Sequence, residues 1–261
     1  MITSFINSFQ SEWLKTRRSL ASFLVIFGGF FIPIIMTISR LLRPEVIEKQ
    51  SASPVFWEKI FNNNWQPMSM FLLPMGVVLA TSLITQLEFR NNTWKQTHST
   101  PQYFGLIFTS KLAVILAMLV QFFIFFTIGI YLSGALPAWV LGNVDYPTAT
   151  FPWHYYFEKS ALFFIDSLPI VALQYAISLQ FKNFLVPLSV GIGLTIGSLM
   201  SLMWKHGIWV PYTYASYHFN FLSGYMQPIA GKPDIHFLAS IYTAIFLIVG
   251  YILYIYKKEK G

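Results

Sequence analysis

The sequence predicts an all-α, polytopic membrane protein with six transmembrane helices, an N-terminal interfacial helix and a re-entrant or interfacial segment before the last span. Two observations carry this reading. Hydrophobic residues make up 55% of the 261 positions, aromatics 18% and charged residues only 10%, more apolar surface than a water-soluble domain of this size can bury. Six stretches nearly free of charge, about 19–39, 66–87, 112–136, 160–181, 183–204 and 235–256, are each long enough to cross roughly 30 Å of hydrocarbon as a helix. A membrane barrel would show alternating segments of about ten residues. Residues 113–126 and 241–256 are instead apolar all round.

Each element follows from its local pattern. In segment 1–18, Ile2, Phe5, Ile6, Phe9 and Trp13 recur at helical spacing opposite Ser4, Asn7, Ser8, Ser11 and Glu12, which fits a helix lying in the membrane interface. The alternative is a frayed tail. The first apolar run lacks a small-residue cleavage site, so it is expected to be retained rather than removed as a signal peptide. Residues 43–65 contain Pro44 and Pro54, then Phe56, Trp57, Ile60 and Phe61 along one side of a short helix, expected to rest on headgroups. Segment 137–159, with His154 beside Trp153, Tyr155 and Tyr156, reads as an aromatic belt or a binding surface. The brief connection over 180–184 requires antiparallel neighbours. Residues 205–234 hold Trp209, Tyr212, Tyr214, Tyr217, Phe219, Phe221 and Tyr225, and read as short helices dipping into one leaflet or lying on its surface. With no soluble domain or repeat between them, these elements make one transmembrane domain over 1–261.

Charge sets the orientation. With the N-terminus inside, interior segments hold ten basic residues against three acidic ones, and exterior segments seven against six. Lys15, Arg17 and Arg18 flank the first span and Lys257, Lys258 and Lys260 follow the last. Both termini are therefore expected in the cytoplasm, with the chain multi-pass in a bacterial inner membrane. The same counting assigns the net charge of +7 to the lipid bilayer and to orientation, with no nucleic acid implied.

Little in the chain can carry covalent chemistry. It has no cysteine, and its only Gly-Lys pair, Gly231-Lys232, lacks the upstream glycine of a P-loop and is followed by Pro233. The histidines, at 98, 154, 206, 218 and 236, show no ligand-like spacing, so neither a metal nor a cofactor is expected. No catalytic residues are expected, and the chain reads as a non-enzyme. Asp166 is the sole acidic residue inside a span. It marks a polar point on a translocation path or a proton relay, or else it reaches water or Lys159 at the outer end. Ser189, Gly193, Gly197 and Ser201 fall at four-residue intervals on one helix stripe, suited to a subunit interface, a sliding surface or packing within the subunit.

The interior segment 88–111 is the one inner loop long enough to form a docking surface. Charges of both signs, a tryptophan and the break Thr100-Pro101 suit a protein contact better than a solvated hairpin. The run Glu88-x-Arg90-x-x-Thr93-Trp94-Lys95 with Pro101, followed by Ser110-Lys111, resembles the coupling segment of type-2 ABC exporter permeases. Glu12-Trp13-Leu14-Lys15-Thr16-Arg17-Arg18 is similar to their N-terminal interfacial helix. Asn91-Asn92 replaces the glycine common in that turn, and His98-Ser99 replaces apolar residues. The resemblance implies a permease driven by separate ABC ATPase subunits, which would carry the ATP and Mg, and paired with a second permease subunit, identical or related. Permeases of this size that remove lantibiotics and bacitracin-like peptides are similar in composition, which implies an amphipathic or hydrophobic substrate. The competing function is an ion- or proton-coupled secondary transporter using Asp166.

Overall fold

In the computed structural model, which describes residues 2–43, 51–90, 103–141, 145–228 and 231–257, every regular element is helical. In chain order these are α1 (Ile2–Thr16), α2 (Leu20–Leu41), α3 (Phe56–Pro67), a π-turn (Met68–Leu72), α4 (Leu73–Arg90), α5 (Phe104–Leu141), α6 (Trp153–Gln180) and α7 (Leu185–Ser201). Two 3-10 turns (Gly207–Trp209 and Pro211–Thr213), α8 (Tyr214–Leu222) and α9 (Ile235–Tyr256) complete the order. Among the described residues, five runs are long and apolar enough to cross a membrane: Leu20–Leu41, Phe56–Leu87, Phe104–Leu141, Trp153–Gln180 and Ile235–Tyr256. The sixth apolar helix, α7, has 17 residues, at the short limit for a span.

The bundle is built on three long pairings, α2 with α5, α6 with α9, and α4 with α6. Small residues make the first of them close. A Cβ on Gly29 would meet Phe125 Cβ at 2.9 Å, and one on Gly129 would meet Pro33 Cγ at 2.8 Å, so only hydrogen fits where these backbones cross.

The second span differs from its sequence reading. Segment α3 does not rest on headgroups: Phe56, Trp57, Ile60, Phe61, Asn64 and Trp65 are buried, and the helix runs through the π-turn directly into α4. The reason is that α5 extends to Leu141, which gives the apolar side of α3 a protein partner. Trp57 stacks on Tyr131 at 5.6 Å and donates its indole N–H to the Ala149 carbonyl at 2.8 Å. Tyr156, fully buried, donates to the Trp57 carbonyl at 2.7 Å. Part of the supposed aromatic belt is thus core, while Trp153 stays exposed.

Prolines explain the π-turn. Pro67 and Pro74 bracket Met68–Leu72, and each lacks the N–H that an α-helix needs there. The Ser69 carbonyl in this turn accepts the Ser216 hydroxyl of α8 at 3.3 Å. Residues Tyr214 to Asn220 of α8 are buried in succession, so this part of the aromatic segment before α9 is covered by protein, while Trp209 and Tyr225 stay exposed.

Candidate functional site

Four features stand out: a wired end next to segment 88–111, a buried polar cluster around Asp166, an outward face of α7, and an apolar cavity between α2, α4 and α5. The interior loop itself is framed by α4 and α5. Glu88 and Arg90 belong to the last turn of α4, and Thr93, Trp94, Lys95 and Pro101 lie outside the described residues. The loop is shorter than its apolar flanks imply, because α5 already begins at Phe104.

Lys111 consequently sits inside α5, 2% exposed, with its Nζ 3.8 Å from Glu12 Oε2. Lys15 takes the other Glu12 oxygen, and the Ser8 and Ser110 hydroxyls meet at 2.9 Å. These contacts pin α1 along α5, so the N-terminal segment is a packed helix and not a frayed tail. Nearby, Gln86 Nε2 donates to the carbonyls of Ser178 at 3.0 Å and Phe181 at 2.6 Å. Lys257 Nζ donates to the Leu179 carbonyl at 2.7 Å. A helix leaves its final carbonyls without intrahelical donors; here α4 and α9 serve those of α6.

A polar seam continues from this knot into the bundle. Gln174 Nε2 donates to Ser82 Oγ at 2.7 Å and to the Pro187 carbonyl at 2.8 Å, joining α6 to both α4 and α7. Side-chain hydrogen bonds of this kind hold apolar helices in register where burial alone discriminates poorly.

Midway along α6, Asp166 is fully buried and accepts from two imidazoles. His218 Nδ1 of α8 lies 2.8 Å from Oδ2, and His236 Nδ1 of α9 lies 2.7 Å from Oδ1. Lys159 does not reach this carboxylate; it pairs with Glu158 at 2.8 Å. Stacking fixes the His218 ring against Phe163 at 4.0 Å, and Phe163 in turn against Trp65 at 3.7 Å. Sequence reading missed the two histidines because they stand 52 and 70 positions from Asp166 and follow no shared motif. The visible signal was a lone acid in a span, which demands a buried partner.

The α7 stripe faces outward. Gly193 and Gly197 have no atom within 4 Å of a Cβ position, whereas Gly191, Thr195 and Ser198 form the buried side. Gly191 is the position packed within the subunit, where a Cβ would meet Val78 and come within 2.7 Å of Gln174 Oε1. Between α2, α4 and α5 lies a cavity of about 240 Å³, lined by Leu24, Phe27, Phe31, Leu72 and Gly76 among others, with Thr81 the one polar side chain in its lining.

Comparison with protein families matches residues 8–198 to the family described as ABC-2 family transporter protein. The chain belongs to that family. It is a type-2 ABC permease, the membrane component of an ABC transporter and a multi-pass membrane protein. Membership implies association with ABC ATPase subunits. Comparison with curated proteins and with solved structures finds no match.

Proposed function

We propose that this permease exports an amphipathic or hydrophobic substrate, with an antimicrobial peptide as the leading candidate class, driven by nucleotide-dependent closure of separate ATPase subunits. Family membership over residues 8–198 carries this reading. The ATPase would press on the segment around Glu88, Arg90, Thr93, Trp94, Lys95 and Pro101. The wired end gives such a push somewhere to go: Gln86 couples the end of α4 to α6, and Lys111 couples the start of α5 to α1. Displacement of the loop flanks would therefore move packed helices rather than bend a hinge.

The apolar cavity between α2, α4 and α5 supports an apolar or amphipathic cargo. The stripe Ser189, Gly193, Gly197 and Ser201, exposed at its first three positions and half-buried at Ser201, supports pairing with a second permease subunit, since small residues let helices approach closely. In this reading the termini and the loop are cytoplasmic in a bacterial inner membrane, as the basic residues of the wired end favour. Membership of the ABC-2 family supports ATP-driven transport over ion coupling through Asp166. The test is co-purification of the permease with an ATPase chain, lost in a Glu88→Ala plus Trp94→Ala variant. Stable association after deletion of residues 88–102 would overturn the docking assignment.

A further inference from the structure

We infer that Asp166, His218 and His236 form a binding site for a divalent transition-metal ion of the zinc class. Their candidate ligand atoms lie within 4.8 Å of one another. Each comes from a different element, α6, α8 and α9. A buried carboxylate needs a compensating positive charge, which here either a protonated imidazole or a metal ion held by both imidazoles can supply, Lys159 being committed to Glu158. Two imidazoles and one carboxylate, with no thiolate anywhere in the chain, make an N/O donor set that suits zinc and its neighbours rather than magnesium or calcium.

The site is held in readiness. Asp166 is fully buried, and the His218 ring is clamped by its stack on Phe163. His236 has a side chain 23% exposed, which gives an ion access. Metal bonds of about 2.0–2.2 Å place tetrahedral ligand atoms roughly 3.3 Å apart, so the present separations of 2.8 and 2.7 Å must open by roughly half an ångström. The proton balance is simple. Each neutral imidazole carries its proton on Nε2 instead of Nδ1 and offers the Nδ1 lone pair to the ion. Any imidazolium proton leaves to solvent as the metal enters. A bound ion would staple α8, the element that hydrogen-bonds the π-turn, to α6 and α9.

The test uses the full chain purified in detergent, stripped with EDTA and titrated with Co²⁺ and then Zn²⁺. Binding of one equivalent is expected, with visible cobalt absorption of an N/O site that Zn²⁺ abolishes. Zn²⁺ should also raise the melting temperature, and EDTA should reverse the rise. His236→Ala is expected to weaken binding at least tenfold, in line with roughly 10–100-fold losses even for outer-sphere partners. A His154→Ala plus His206→Ala variant should bind as the parent does. A colourless cobalt titration together with a melting temperature indifferent to Zn²⁺ and EDTA would reduce the cluster to a hydrogen-bonded clasp and overturn the proposal. So would binding that is lost only in the His154/His206 variant. The titration of the unmodified chain decides the matter even where a variant fails to fold.

Discussion

Lys111 Nζ lies 3.8 Å from Glu12 Oε2, and the two side chains are 2% and 8% exposed. A lysine so deeply buried needs its counter-charge, because removal of one partner from a buried pair strands the other at a cost of about 3–5 kcal/mol. Lys111→Met leaves Glu12 with Lys15 on its other oxygen and is expected to destabilise the permease by about 1–3 kcal/mol. The double change Glu12→Gln plus Lys111→Met should cost less than the two single changes added together, since the Glu12–Lys111 attraction is then lost only once. Thermal melting of the two single variants and the double variant in detergent checks this. Strict additivity of the single effects would show that the pair is not coupled.

Gln86 makes a second, separable prediction. Its amide supplies hydrogen bonds to the Ser178 and Phe181 carbonyls, so Gln86→Leu keeps the volume and leaves two terminal carbonyls of α6 short of donors. The expected cost is about 1–3 kcal/mol. In the assembled transporter the same change should uncouple ATP hydrolysis from transport, because α4 ends next to the proposed ATPase contact. Measured transport per ATP falling while ATPase binding persists would match. Unchanged coupling with a lowered melting temperature would confine Gln86 to a packing role.

What the sequence made legible depended on range. The spans were readable because hydrocarbon demands long apolar runs, and that demand acts locally along the chain. The buried placement of α3 was not, because Phe56, Trp57, Ile60 and Phe61 form the same stripe whether they face lipid or Tyr131 and Tyr156. The pairing of Asp166 with His218 and His236 was hidden for a related reason: two further helices bring their histidines to it from 52 and 70 positions away. Gln86 and Gln174 were not singled out, because one amide in an apolar run does not name its partners, which are the Ser178 and Phe181 carbonyls for the first and Ser82 and the Pro187 carbonyl for the second. The α7 stripe was visible by spacing, but its direction was not. Gly191 and Gly193 differ by two residues, which on a helix turns one toward Val78 and the other outward.

The apolar cavity between α2, α4 and α5 yields a prediction about cargo. Gly76 lines it, and a Cβ there would have no neighbour within 4 Å. Gly76→Trp should fill the space with little strain, and replacing a mid-helix glycine removes a penalty of about 1 kcal/mol. The melting temperature is expected to hold or rise while transport of, or protection against, an amphipathic peptide falls. Transport unaffected by a filled cavity would move the substrate path elsewhere, most naturally to the face of α7.

That face can be mapped without background, because the chain contains no cysteine and any single one introduced is unique. Gly193→Cys places a thiol on the open stripe with no side chain of the same subunit within 4 Å. Ser198→Cys, 3% exposed, places it on the side turned into the bundle. If two permease subunits meet along α7, mild oxidation of membranes should give a disulfide-linked dimer for Gly193→Cys and none for Ser198→Cys. A disulfide requires Cα atoms within about 7 Å, so a bond at 193 also demands the close backbone approach that glycine at 193 and 197 permits. Gly193→Leu should then weaken pairing while leaving the melting of the isolated subunit nearly unchanged. Absence of cross-linking at 189, 193 and 197 alike, in membranes where the ATPase complex is intact, would place the subunit contact on another helix.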